Sequence, residues 1–495
     1  MNHPDTFDVI ILGGGPAGSC AALRLLSLGY EVALVEQGRF PRHQIGESLS
    51  PGIWNIFSYL QADHLLKKSS YLQAMPARVI WQTQTAEIVT PKRRGPGVMV
   101  HRGELDRDLL LLARGRGLHL FQPAKFKSCR QLDGKWALEV RLENSALDLT
   151  ANFILDARGR KGIHARDEIL TAPPMVAIWM DIQSLSMRRE TLIEAIEEGW
   201  LWGSPLPNHR FRIMAFVDPS EVTNTNPVDL LPKLLLKGKL FRKMAEGNVF
   251  SDIQTYSVLT YSHSHPWEEN YLRLGEAAFS LDPLSSTGVE KAMRFSLQAA
   301  IAVNTVLKSR DEQVAKSFYE NSMIESIATH TVWTQAYYQT AWPGAEYRFW
   351  KERSKQFVIS SKDSTPFFTK LMSKLGDVPK PRTADEAQQG LNLRQILSDL
   401  WSKSITLSTE LTYQKTACVV GDHLELRIAV KHPRLNREMA YLEQVEIAPL
   451  LCLVSKVRTF GELIQLWSHE MPFEQASRLV VWLWHHEILR VRADL

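Results

Sequence analysis

Apolar residues run unbroken over Val9-Ile10-Ile11-Leu12 and again over Val32-Ala33-Leu34-Val35, and both runs predict strands. Between them Ser19 to Leu28 predicts a helix, and Gly13-Gly14-Gly15-Pro16-Ala17-Gly18 turns the first strand into it. The pattern returns later in the chain. Ala151 to Asp156 is an apolar strand that ends in the small-residue turn Ala157-Arg158-Gly159. Tyr271 to Leu274 is another strand, followed by a loop with Pro283 and Gly288 and a long helix through Leu307. Arg78 to Thr85, Val176 to Ile182 and Arg210 to Val217 have strand character and predict a second sheet. Residues 311–375 read as mainly helical and carry Trp333, Tyr337, Tyr338, Trp342, Tyr347, Phe349 and Trp350. Core packing is the plain reading of that aromatic set.

Residues 376–390 turn polar and Pro-containing, which predicts a linker. Beyond it the chain predicts a helix over 391–402 and strands over Thr416–Val420 and Leu424–Val430. Thr459 caps a helix over Phe460–Trp467, Pro472 starts another that runs to Trp484, and Ile488–Val491 closes as a strand. Two short helices followed by a strand suggest a winged-helix-like module over 391–495. Its mixed charge argues against DNA binding and for a peptide or partner dock.

The first strand, glycine turn, helix, second strand and Glu36, eighteen residues after Gly18, together make a dinucleotide-binding βαβ unit. Gly13 permits the tight turn, Gly15 lets the backbone approach a pyrophosphate, and Gly18 lets the helix pack on the strand. The helix N-terminus, opening at Pro16 and Ala17, offers N–H groups and a positive dipole end to phosphate. Glu36 is placed to accept hydrogen bonds from an adenosine ribose. No second fingerprint of this kind marks another dinucleotide site.

With 495 residues the chain has room for about three domains. A net charge of +4, from 58 Lys+Arg against 54 Asp+Glu, excludes a general nucleic-acid binder. Cys20, Cys129, Cys418 and Cys452 are scattered, which predicts neither a metal site nor a disulfide framework and suits a reducing compartment. No apolar run spans a bilayer, and the first strand begins too early to leave room for a signal peptide, so a cytoplasmic protein is expected.

With its nucleotide-contact segments in this order, the first 375 or so residues resemble the flavoprotein monooxygenase superfamily and its para-hydroxybenzoate hydroxylase fold. The string Phe40-Pro41-Arg42-His43-Gln44-Ile45-Gly46-Glu47-Ser48-Leu49-Ser50-Pro51 is similar to a loop of flavin-dependent halogenases and geranylgeranyl reductases. The resemblance implies an α/β fold: a Rossmann-like FAD-binding domain over 1–375 with an inserted mixed substrate sheet, at about 75–97 and 166–265. It implies FAD, with O₂ as co-substrate. By carry-over Gly13, Gly15, Pro16, Ala17, Gly18 and Glu36 bind the ADP half, and Arg42, Ser48 and Arg102 lie near the pyrophosphate or ribityl chain. Glu276 stands where the family has Asp, and Pro283, Thr287 and Gly288 line the flavin ring.

The departures narrow the chemistry. Halogenases carry a lysine after this loop; here Ala74 takes its place, with Lys67 and Lys68 too early and Lys92 too late. The halogenase WxWxIP string becomes Trp200-Leu201-Trp202-Gly203-Ser204-Pro205; Trp200 and Trp202 are candidates for the catalytic site, their plain alternative being two rings on one face of a strand, packed as core. Arg158 is unusual in its turn. A nearer likeness is to the flavoprotein monooxygenases of tryptophylquinone biogenesis, of the quinohemoprotein amine dehydrogenase maturation type, which oxygenate tryptophan inside a partner polypeptide. The Asp282-Pro283-Leu284-Ser285 loop fits that group, and so does a small C-terminal domain that grips a protein substrate between itself and the substrate sheet. Glu47 is a candidate for an acidic role, its plain alternative being a loop carboxylate that caps backbone N–H groups. A halogenase, a prenyl reductase and a non-catalytic flavoprotein assembly factor remain as alternatives.

Overall fold

The computed structural model describes residues 6–42, 44–91, 95–162, 167–183, 189–247, 252–309, 311–355, 357, 359, 365–379, 393–435 and 437–492. His43, Lys92 and most of the expected linker, from 380 to 390, lie outside the described residues. The chain divides into two units, Met1–Asn304 with Tyr319–Asp377, and Thr305–Phe318 with Val378–Leu495.

The first unit is built on a parallel sheet in which Thr6–Leu12 lies between Val32–Val35 and Ala146–Asp156. His119–Phe121 extends the sheet beyond Val32–Val35, and Tyr271–Arg273 extends it beyond Ala146–Asp156. Both apolar runs of the opening βαβ unit are buried, as a parallel strand covered on both faces requires. The predicted helix forms over Pro16–Ser27.

A second, seven-stranded sheet takes the order Gln254–Val258, Met175–Gln183, Arg210–Val217, Gly199–Leu206, Thr191–Ile196, Ala77–Ile80 and Glu87–Val89. Its neighbours are antiparallel except for Thr191–Ile196 against Ala77–Ile80. Two expectations need correction here. The strand expected over Arg78 to Thr85 stops at Ile80, because Trp81 leaves the sheet. Its indole N–H donates to the Tyr337 carbonyl at 3.0 Å, and its own carbonyl accepts from the Trp342 N–H at 2.7 Å. The outer ends of the expected insert, Glu168–Leu170 and Tyr261–His263, belong to a separate three-stranded sheet with Phe279–Ser280.

Residues 311–375 are mainly helical, with Glu312–Gln339, Arg348–Arg353 and Pro366–Asp377, so residues 376 and 377 end a helix and do not begin a linker. The core reading of the aromatic set holds for Tyr338, Phe349 and Trp350 and fails for Trp333 and Tyr337, which are exposed. No helix among the described residues is long and apolar enough to cross a membrane.

The second unit has its own core around Leu451, Phe460, Trp467, Val480 and Leu489. Thr459 caps the Phe460–Trp467 helix, its Oγ1 accepting from the Glu462 N–H at 3.2 Å, while Glu462 accepts from the Arg458 N–H at 2.7 Å. The next helix is Phe473–His485, and Leu489–Val491 then pairs antiparallel with Ile405–Leu407. A hairpin, Thr412–Val420 with His423–Lys431, precedes the helix pair.

Candidate active site

The glycine turn has the geometry a bound dinucleotide needs. Gly13 has φ +102°, which an L side chain resists. A Cβ on Gly18 would stand 1.9 Å from the Gly13 carbonyl oxygen, so strand and helix touch only because both residues are bare. Gly15 is the N-cap of Pro16–Ser27, and no side chain caps that helix. A Cβ on Gly15 would meet only Arg42 Nη2, at 3.7 Å, so the space over the helix N-terminus is open. Gly288, at the start of the helix Gly288–Ser309, is likewise open. Two free helix starts facing open space fit a pyrophosphate and a polar ring.

Glu36 is buried beneath the turn. Its carboxylate accepts from the Gly14 N–H at 2.7 Å and the Gly38 N–H at 2.6 Å. Arg42 Nη1 stands 3.7 Å from Glu36, and the buried Arg42 Nε has no partner among the described residues. Arg42 Nη2, beside the open space at Gly15, fits a phosphate oxygen. The remaining segments converge on the same region. A Cβ on Gly275 would lie 3.2 Å from Ala17 Cβ and 3.7 Å from Ala292 Cβ, and one on Gly46 would lie 3.7 Å from Val289 Cγ2. Ser48 is half-buried on a short strand paired with Met99, Thr287 Oγ1 sits 2.7 Å from Ser285 Oγ, and Pro283 opens the turn before Gly288. Glu276 is exposed, beside the Gly159 turn.

Arg102, Glu47 and Arg158 are each held in an ion pair. Arg102 is buried, and its guanidinium is occupied by Asp106 at 3.1 Å and by the carbonyls of Ile45 at 2.8 Å and Gly46 at 3.3 Å. It fastens the 45–47 loop. Among the described residues no backbone N–H donates to the Glu47 carboxylate. It pairs with Arg212, which also grips Asp181 at 2.6 and 2.9 Å and lies 4.2 Å from the centre of the Trp179 ring. Arg158 forks onto the buried Asp156 at 2.8 and 2.6 Å, and Tyr271 donates to the same carboxylate at 2.7 Å.

Trp200 and Trp202 are buried in one aromatic cluster with Trp81, Tyr338, Phe349 and Trp350. Trp200 stacks on Phe216 at 3.9 Å between centroids, 9° from parallel. Ser204, which breaks the tryptophan string, is fully buried and bonds Thr191 Oγ1 at 3.0 Å across the sheet. The sequence reading missed the polar group behind this cluster. Tyr338 donates to both oxygens of Asp282, at 3.1 and 3.0 Å, and the Leu284 N–H donates to Asp282 Oδ1 at 3.0 Å. Burial pushes the Asp282 carboxyl up to about 6. Burial pushes His330 down to about 3, so its ring is neutral. Eight residues separate His330 from Tyr338, a spacing close to two helical turns that puts both on one helix face; this was the available signal.

Residues 8–80 match the tryptophan halogenase family. The tryptophan 2-halogenase of Chondromyces crocatus is 24% identical over 429 residues, covering 81% of this chain and 82% of that one. The crystal structure of CmlS, a flavin-dependent halogenase, superposes with a TM-score of 0.75 at 21% identity, covering 98% of this chain and 96% of CmlS. In sequence and fold the chain is similar to flavin-dependent halogenases and monooxygenases. The peptidyl tryptophan dihydroxylase QhpG, essential for tryptophylquinone cofactor biogenesis, shares the fold at a TM-score of 0.71 and 18% identity, covering 97% of this chain and 99% of QhpG. This likeness supports an FAD-dependent enzyme, and the bare turn, the open helix starts and the Arg42 guanidinium beside Gly15 fit that cofactor.

Proposed function

We propose that this flavoenzyme is a monooxygenase that hydroxylates an aromatic ring, and that its substrate is a tryptophan carried by a partner peptide or protein. The observation that carries the reading is Ala74, at the position where the resemblance to halogenases calls for a lysine. The neighbouring lysines do not replace it: Lys67 is exposed, and Lys68 is engaged by Asp108. Likeness to QhpG over nearly its full length supports the peptidyl substrate.

FAD, when bound and reduced, supplies two electrons to O₂ so that one oxygen atom is inserted and the other leaves as water. The chain's own residues bind, orient and exclude. The Pro16–Ser27 N-terminus and Arg42 hold the pyrophosphate, and Glu36, already fixed by two backbone N–H groups, accepts from the ribose. The buried aromatic cluster supplies a dry wall against which an indole is held. The electron donor is a transiently bound reduced nicotinamide or a separate flavin reductase.

The test supplies purified enzyme with FAD, a reducing system, heavy oxygen gas and a short tryptophan-containing peptide, with and without chloride or bromide. The expected product carries heavy oxygen on tryptophan whether or not halide is present. A halogenated product, as the names of several relatives suggest, replaces this reading with the halogenase one. Alkene reduction without oxygen points to a reductase, and an unchanged peptide after aerobic turnover points to an assembly role.

A further inference from the structure

One helix, Glu312–Gln339, holds Asp282 by its side chain and by its main chain. Tyr338 donates to the two carboxylate oxygens at 3.1 and 3.0 Å, and the His330 ring is bonded to the main-chain carbonyl. One turn before His330, Ser326 Oγ accepts from the Lys291 amine at 3.1 Å. Ser326, His330 and Tyr338 are spaced by four and eight residues, which sets all three on one helix face. That face fastens both flanks of the segment 283–290.

The segment needs such a hold. Asp282 caps the short turn Pro283–Ser285 by accepting from the Leu284 N–H at 3.0 Å, and the Ser286 N–H donates to the Pro283 carbonyl at 2.9 Å. Ser286 sits at φ +50°, in the left-handed region. A residue with a side chain rests there only where its surroundings over-determine it. Two residues on, Gly288 opens the helix Gly288–Ser309 into free space. This helix start lies beside the glycine turn, because a Cβ on Gly275 would stand 3.2 Å from Ala17 Cβ and 3.7 Å from Ala292 Cβ. Displacing the 283–287 turn would therefore displace one of the two open helix starts.

The Tyr338 ring also belongs to the aromatic cluster. Its centre lies 6.2 Å from Trp81, 6.1 Å from Phe349 and 5.9 Å from Trp350. One side chain thus joins that cluster to the turn before the open helix start. We propose that Tyr338 is a positioning residue for the cofactor: by holding Asp282 it keeps the 283–287 turn, and with it the Gly288 helix start, in the conformation that receives FAD. The proposal rests on FAD lying at the two open helix starts, and its consequence for turnover rests on the hydroxylase reading above. Tyr338 acts through Asp282 in this role. A turn fixed before FAD arrives binds it more tightly than one that must be ordered on binding.

Variants of the full chain test this. Tyr338→Phe keeps the ring in the cluster and deletes only the donor. Tyr347→Phe is the comparison, because it deletes another phenol bond, to Glu197 at 2.9 Å. In FAD-free protein, amide hydrogen exchange over 282–288 is expected to quicken about tenfold in Tyr338→Phe and to keep the wild-type rate in Tyr347→Phe. FAD, titrated by fluorescence, is expected to bind Tyr338→Phe about tenfold more weakly and with a shifted absorbance spectrum, and to bind Tyr347→Phe as it does wild type. Asp282→Asn still presents a carbonyl oxygen to Tyr338 and Leu284, so it should bind FAD more tightly than Asp282→Ala. Adding Tyr338→Phe to Asp282→Ala should cost no further affinity. Exchange, affinity and spectrum unchanged in Tyr338→Phe overturn the proposal. Equal losses in the two phenol variants also overturn it, because a general loss of packing would give that result. In turnover of the tryptophan peptide, Tyr338→Phe is expected to lower kcat about tenfold with the peptide KM little changed, since the ring in the cluster is retained. Wild-type product without heavy oxygen overturns the hydroxylase reading, while the exchange and the FAD titration, which involve no turnover, still decide the role of Tyr338.

Discussion

Arg212 holds one positive charge between the carboxylates of Asp181 and Glu47, with only 1% of its side chain exposed. Glu47 belongs to the loop that Arg102 fastens, and Arg212 and Asp181 belong to two paired strands of the substrate sheet. One ion triad therefore ties the cofactor loop to the sheet. Removing the cation should cost more than removing either anion, because it strands two carboxylates with no counter-charge. Arg212→Met is expected to lower stability by about 3–5 kcal/mol in urea denaturation. Glu47→Gln should cost less, since Asp181 still forks onto Arg212 at 2.6 and 2.9 Å. If Glu47→Gln left stability untouched and abolished turnover, an acid–base role would replace this structural one.

At the scale of the element, the glycine turn makes two opposite forecasts from neighbouring positions. Gly15 has φ −71° and open space where a Cβ would go, so Gly15→Val should fold normally, within about 0.5 kcal/mol of wild type. The added methyls would occupy the space over the helix N-terminus, and FAD affinity should fall at least about tenfold, read by flavin fluorescence. Gly18→Ala puts a Cβ into the Gly13 carbonyl and should cost about 1–3 kcal/mol of stability whether or not FAD is present. The reverse pattern would mean that the open space is not the pyrophosphate site. The turn was legible in the sequence because strand, glycines, helix and acid lie within some thirty contiguous residues, where spacing alone sets geometry. The Asp282–Tyr338 bond joins residues 56 apart and the Glu47–Arg212 pair residues 165 apart. No local period records such pairings. Trp81 shows the same limit, since a helix far along the chain draws it out of a strand that its neighbours predict.

For the whole molecule, the buried polar group behind the aromatic cluster sets how stability responds to pH. Asp282 titrates at about 6 when folded and near 3.8 otherwise, so the folded chain holds this proton more tightly than the unfolded one. Its contribution is full below 3.8 and is lost as pH rises through about 6. His330 works in the opposite sense: its folded value, about 3, lies below the usual 6.5, so its contribution is full above 6.5 and is lost as pH falls toward 3. Between about pH 4 and 6 the two slopes have opposite sign and similar size, near 1.4 kcal/mol per pH unit each. They largely cancel in the wild-type chain. Each single variant should expose the other's slope. Asp282→Asn is expected to lose stability steeply on acidification from pH 6 to 4, by about 3 kcal/mol more than wild type. His330→Gln is expected to gain on acidification by a similar amount relative to wild type. Urea midpoints at both pH values measure the two slopes. Slopes parallel to wild type in both variants would mean that neither group titrates as its burial requires, and the buried proton would have to be sought elsewhere.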